Sequence, residues 1–194
     1  RGLFAKNDRN PETRVDNYKE WGRLGGWTSS SGRGWANLSN APFRMYKRYT
    51  HEGGVATPLI VHWPAGLKSQ GELRHAPSHI IDIAPTCLSA AGLSVKGMEG
   101  KSLLPVFVRD SKDERTLYWE HEGNRAVRKG DYKLVAMHDA PWELYNMAKD
   151  RSELKDLLED MPGKANELRL LYEAWAKRVG ALPWEQVIAA RKKK

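Results

Sequence analysis

Residues 57–63, TPLIVHW, carry an unbroken apolar run, Leu59, Ile60 and Val61, set between the pair Gly53-Gly54 and the terminators Pro64 and Gly66. A run with no polar alternation suits a strand covered on both faces, as in a parallel sheet flanked by helices. Further on, Asp82 is placed to cap a short helix. Ile83, Ala84, Cys87, Leu88 and Ala91 share one face of it, Pro85 sits in the tolerant first turn, and Gly92 follows the end. On this spacing Cys87 reads as core packing. A strand followed by a helix over about 35 residues is the α/β signature.

The flanking sequence reads differently. Residues 1–50 are rich in Gly, Ser, Asn and Arg and show neither a 2.0 nor a 3.6 period, which predicts a long loop. Loops of that size in compact domains are functional or disordered, and Trp21, Trp27 and Trp35 argue that parts of this one pack. From Thr116 two short β-prone runs flank Gly130-Asp131, as in a hairpin of a small antiparallel sheet. From Asp150 to Gly180 the pattern is helical. Leu154, Leu157 and Leu158 space one face and Leu168, Leu171, Tyr172, Trp175 and Val179 another, with Pro162-Gly163 dividing two helices. The expected division is residues 1–112, with 1–50 a long active-site loop region, and residues 113–194, a small α+β subdomain.

Composition narrows the function class. The chain carries 32 basic and 24 acidic residues, a net charge of +8, which attracts anions without choosing among them. No nucleic-acid motif accompanies that charge, so no nucleic acid is expected as a partner. No window of about 20 apolar residues exists, so no membrane span is expected. The single cysteine forbids an internal disulfide and excludes a Cys-rich zinc site. The first residue is Arg1, not Met, and the opening residues lack the apolar core of a signal peptide, so the chain is expected to extend upstream.

Residues 41–64 are the richest in chemistry. Arg44, Lys47, Arg48, His51 and Glu52 precede the apolar run, and Gly53-Gly54 lets the backbone turn sharply or approach a ligand closely. By itself this reads either as a solvated basic stretch or as an anion site. The run Lys47 to Val55, followed by Pro58, Leu59, Ile60, Val61, Trp63 and Pro64, resembles a signature region of the sulfatases of arylsulfatase type. GWANLSNAPFR from Gly34, GELRHAPSHIIDIAPT from Gly71, YWEHEGNRAVRKGDYKLVA from Tyr118 and WELYNMAKDRSELKDL from Trp142 are similar to the arylsulfatase A-like subgroup in the family's order. The resemblance extends from about Gly34 to Trp184 and is to the C-terminal portion of a formylglycine-dependent sulfatase.

That resemblance implies an α/β fold with a partial alkaline-phosphatase-like α/β/α core, followed by a small antiparallel sheet with C-terminal helices. It implies hydrolysis of sulfate monoesters, on small molecules or glycans, to alcohol and sulfate, and favours a periplasmic or secreted location. The lysine five residues before Glu-Gly-Gly, here Lys47, would contact the sulfate as a catalytic and substrate-binding residue. His51 and His121 are candidate substrate contacts, although His121 reads equally as a surface histidine beside glutamates. Glu52, Gly53 and Gly54 are expected to support the loop. The formylglycine motif is absent: Cys87 is followed by Leu88, Ser89, Ala90 and Ala91. Calcium, held in the family by acidic pairs, finds only Asp16-Asn17, preceded by PETRV where an apolar strand belongs. Nucleophile and metal ligands are therefore expected outside this chain, with the missing N-terminal part of the same enzyme as its partner and no activity in this chain alone. The alternatives are a binding module for anions or sulfated glycans, and a phosphoester or phosphonate hydrolase of the same superfamily.

Overall fold

The computed structural model describes residues 32–68, 71–110 and 114–192. Trp21, Trp27 and Asp16-Asn17 lie outside the described residues. The chain forms two compact units, one of residues up to Thr57 with Tyr118–Val127 and Tyr132–Lys194, the other of Pro58–Leu117 with Arg128–Asp131.

Strands β1 (Thr116–His121), β2 (Asn124–Lys129), β3 (Tyr132–Ala136) and β4 (Glu143–Asn146) form a four-stranded sheet in that order. Two-residue connections join β1 to β2 and β2 to β3, which forces those pairs antiparallel. Gly130 takes the positive φ that the second hairpin requires, at the turn expected from the sequence. Lys133 lies opposite Tyr145 and Leu134 opposite Leu144. Because side chains alternate across a strand, this register sorts the sheet into two chemically distinct faces. Leu134 and Leu144 join Val127 on a face that packs on Ala165, Leu168 and Tyr172 of helix α5 (Pro162–Val179). Lys133, Val135, Glu143 and Tyr145 belong to the opposite face, where Ala126, Met147 and Trp119 complete a second cluster.

Helix α5 starts with Pro162 in its first turn and ends on Gly180 at φ 69°, the left-handed cap glycine favours. Tyr118 stacks on Trp175 with ring centroids 5.0 Å apart. The helix expected before Pro162 does not form. Asp150 accepts the backbone N–H of Leu154 and of Lys155, and Leu157 donates its N–H to Leu144 of β4. The segment thus gives its hydrogen bonds to the free edge of the sheet, and Leu154 is left 79% exposed. The long loop expected over residues 1–50 is broken by helix α1 (Gly32–Asn40), which leaves Trp35 exposed. Helix α6 (Trp184–Lys192) ends the described chain.

In the second unit the apolar run forms no strand. Leu59, Ile60 and Val61 are exposed and have no ladder partner among the described residues. A parallel strand exists only through its neighbours' backbone, so apolar composition cannot order one alone. Helix α3 (Ile83–Ala90) forms where expected but turns the other way: Pro85 and Thr86 are buried and Cys87 is exposed, correcting its reading as core. The Asp82 side chain does not cap it. It is buried, accepts the N–H groups of His79 at 2.7 Å and Lys101 at 2.9 Å, and pairs with the Arg115 guanidinium. Burial opposes its charge, yet these donors outweigh burial and hold the carboxyl below its usual range. In helix α4 (Leu104–Val108) the carbonyls of Val106 and Phe107 accept from Arg74. No described helix is long and apolar enough to cross a membrane.

Candidate functional site

The segment from Arg44 to helix α2 (Glu52–Val55) is a tight turn folded against a single helical turn. Tyr49 N–H donates to the Tyr46 carbonyl, placing Lys47 and Arg48 at the corner, and Gly53 N–H donates to the Arg44 carbonyl at 2.8 Å. The two glycines are there for room. A Cβ on Gly53 would lie 2.1 Å from the Met45 carbonyl oxygen, and one on Gly54 would lie 2.0 Å from that of Tyr49. The Glu-Gly-Gly motif therefore lets α2 touch the backbone of the lysine turn. Gly54→Ala is expected to destabilise the protein by about 1–3 kcal/mol, because the obstructing atoms are backbone and cannot step aside; a thermal melt checks it.

Three cations from this turn meet different fates. The Arg44 guanidinium reaches Glu143 at 3.0 Å, the Tyr145 hydroxyl at 2.6 Å and the Glu153 carbonyl at 2.8 Å. Arg48 pairs with Glu122 at 2.5 Å. Lys47 is exposed and has no ion-pair partner among the described residues. Glu122 belongs to the β1–β2 turn and follows His121, so the Arg48 pair ties the lysine turn to the hairpin that carries His121. His121 itself is exposed, and its carbonyl accepts from Asn124.

His51 is fully buried beneath the turn, its Nε2 3.3 Å from Glu143. An ionised carboxylate only accepts, so Nε2 donates; Nδ1 and the hydroxyl of buried Thr50 have no partner among the described residues. Tyr145 also donates to Glu143, at 2.5 Å. The His51 hydrogen bond, acting against burial and with help from Tyr145 and Arg44, lowers the Glu143 carboxyl from 4.5 to about 2. Burial and the bond to Glu143 push the Tyr145 phenol well above its usual value. A carboxyl with a depressed folded pKa stabilises the fold at pH above its unfolded value and loses that contribution as pH falls through the folded one. The Glu143 contribution is thus expected in full above pH 5 and lost between about pH 4.5 and 2. Acid titrations comparing wild type with Glu143→Gln would show the variant lacking that step.

A second cluster lies deeper. The Lys133 ammonium of β3, fully buried, donates to Glu52 at 3.0 Å and to Glu153 at 2.9 Å. Glu153 accepts the Glu52 N–H with its other oxygen, and Arg151 reaches the second Glu52 oxygen at 3.1 Å. Burial opposes the Glu52 charge, but Lys133 and Arg151 outweigh it and hold the carboxyl below its usual range. The expectation that Glu52 supports the loop is met by this pairing. Lys133, Glu143, Tyr145 and Glu153 escaped the sequence reading. The only available signal was a lysine and a glutamate sharing the period-2 face of strands whose other face is apolar, which looks the same as a solvated face.

Among the described residues the one grouping of metal-ligating side chains is His138, Asp139 and Glu185, partly to fully exposed. One imidazole and two surface carboxylates do not fit calcium, which takes 6–8 oxygen ligands.

A family model described as N-sulphoglucosamine sulphohydrolase, C-terminal, matches residues 43–175. An uncharacterized sulfatase of Schizosaccharomyces pombe is 33% identical over 160 residues, covering 72% of this chain and 29% of that protein. Arylsulfatase K of Danio rerio is 32% identical over 140 residues, 64% of this chain and 26% of that one. N-acetylgalactosamine-6-sulfatase of Mus musculus is 36% identical over 100 residues, 49% and 19% of the two chains. The crystal structure of Ps i-CgsB in complex with k-i-k-neocarrahexaose is similar with a TM-score of 0.65 at 24% identity, over 75% of this chain and 34% of that one, a likeness of fold. The α/β, alkaline-phosphatase-like assignment with its small antiparallel sheet and C-terminal helices holds. The chain spans about a fifth to a third of the length of these relatives. It belongs to the family of N-sulphoglucosamine sulphohydrolase C-terminal regions and is a sulfatase C-terminal portion.

Proposed function

We propose that this chain supplies the back of the active site of a sulfuric ester hydrolase, with Lys47 as the cation that meets the sulfate group. The observation that carries the reading is the contrast among the three cations of the turn: Arg44 and Arg48 are paired with carboxylates, whereas Lys47 is exposed and has no carboxylate partner among the described residues. Breaking a sulfate ester builds negative charge on the departing oxygen, and an ammonium already in place stabilises that charge more than the ground state. His121, tied to the same turn through Glu122 and Arg48, stands at the rim and contacts the alcohol portion. His51 acts from below, orienting the turn through Glu143. Formylglycine and calcium, which supply the nucleophile and its neutralising charge in this family, belong on this reading to sequence outside the chain.

The substrate class is a sulfate monoester of a sugar or aryl alcohol. Support comes from relatives named as N-acetylgalactosamine-6-sulfatase and arylsulfatase K. Comparing turnover of an aryl sulfate and the matching aryl phosphate by the complete enzyme tests it. Preference for the sulfate is expected; preference for the phosphate overturns the substrate class and assigns the site to a phosphoesterase.

A further inference from the structure

We propose that Lys133, on the sheet and away from the exposed face of the turn, is a positioning residue for Lys47, so that the C-terminal sheet sets how efficiently the sulfate ester is cleaved. The inference rests on the reading of Lys47 as the sulfate contact and extends it to residues that touch no substrate.

The turn is anchored at both ends. At its C-terminal end Glu52 is held twice: Glu153 accepts its backbone N–H, and Lys133, 81 residues away in sequence, takes its carboxylate. At the N-terminal end Arg44 reaches Glu143 and Tyr145 of β4 and the carbonyl of Glu153. Lys133 and Tyr145 face each other across β3 and β4, so one face of one hairpin grips both ends of residues 44–52. Between those grips nothing yields easily, because Gly53 and Gly54 press on the carbonyls of Met45 and Tyr49 with no room for a methyl group. A shift of α2 is therefore passed to the corner that carries Lys47.

The charges of the deep cluster point the same way. Glu52, Glu153, Lys133 and Arg151 balance among themselves, and Lys133 and Glu153 are fully buried, so the cluster offers no free charge to an anionic substrate. Its effect on catalysis is geometric. A misplacement of about 1 Å is enough to cost roughly 100-fold in rate.

The test uses the complete enzyme and 4-nitrophenyl sulfate. The double variant Lys133→Met with Glu153→Gln removes the ammonium together with one of the carboxylates it neutralises. It is expected to lower kcat by about 10- to 100-fold while changing KM less than about threefold. Arg151→Gln, at a half-exposed side chain that pairs with Glu52, loosens the same grip where folding tolerates it, and is expected to lower kcat by about threefold. The deciding readout is a double-mutant cycle with Lys47→Ala. Positioning predicts that neither loss appears once Lys47 is gone. Losses that persist undiminished in the Lys47→Ala background, or an unchanged kcat in Arg151→Gln, overturn the positioning role while leaving the sulfate contact standing. A Lys47→Ala enzyme with full turnover instead overturns the sulfate contact, and the inference with it.

Discussion

Lys47→Ala in the complete enzyme is expected to lower kcat for an aryl sulfate by about 100- to 1000-fold, the usual cost of removing one preorganised donor from a developing anion. Folding should be untouched. The side chain is exposed and unpaired among the described residues, so its removal strands no buried group. Lys47→Arg keeps the charge but replaces a compact ammonium by a planar fork on a longer reach, and is expected to recover only part of the rate. Full turnover in Lys47→Ala with an unchanged melt would remove this residue from the mechanism and return the turn to a solvated basic loop.

Lys133→Ala should have the largest effect on stability, about 3–5 kcal/mol, because it leaves two buried carboxylates without their shared cation. The loss should depend on pH. With Lys133 present, Glu52 is held below its usual range. Without it, the buried Glu52 carboxyl keeps only the half-exposed Arg151 guanidinium and stands beside a second carboxylate, which favours protonation of Glu52. The variant's deficit is therefore expected to shrink as pH falls through the ordinary carboxylate range and to be widest near neutrality. Denaturant melts of wild type and variant at several pH values read this directly. A pH-independent deficit would mean that packing against Trp119, rather than charge, is what Lys133 contributes.

Local chemistry was the part legible in the sequence. The Gly130-Asp131 hairpin and the Leu168–Tyr172 face of α5 follow from turn geometry and periodicity, and both appear in the structure; Gly53 and Gly54, read as allowing a sharp turn or a close ligand, instead make room for the Met45 and Tyr49 carbonyls. What failed depended on hydrogen-bond and strand partners that hydrophobic spacing does not reveal. Leu59 to Val61 carry the composition of a buried strand but have no strand beside them among the described residues. Leu154, Leu157 and Leu158 have helical spacing, yet Asp150 and the open edge of β4 offered their backbone groups other partners. Cys87 lies on the apolar stripe of its helix, but Thr86, whose hydroxyl bridges the Asp82 carbonyl and the Leu103 N–H, turns the other face inward.

The candidate site divides along the same line. Lys47 was identified through the resemblance carried by residues 47–64, and its lack of a carboxylate partner among the described residues became visible only with Arg44 and Arg48 paired. The residues that hold the turn, Lys133, Glu143, Tyr145, Arg151 and Glu153, are spread over the C-terminal half and are joined to it only by the fold. Exposed Leu59, Ile60 and Val61 also carry a consequence for the 194-residue chain studied alone. It is expected to bind a hydrophobic dye and to self-associate, since contiguous apolar surface of that kind seeks cover. A monomer that melts cooperatively and binds no dye would contradict this.

Whether the turn held by the C-terminal sheet presents Lys47 to a sulfate group is read most directly from a crystal structure of the complete enzyme with sulfate or an uncleaved sulfate ester bound. The Lys47 ammonium is expected within about 3 Å of a sulfate oxygen, with the Lys133–Glu52 and Arg44–Glu143 pairs intact beneath it. Sulfate bound elsewhere, with Lys47 directed into solvent, would contradict it.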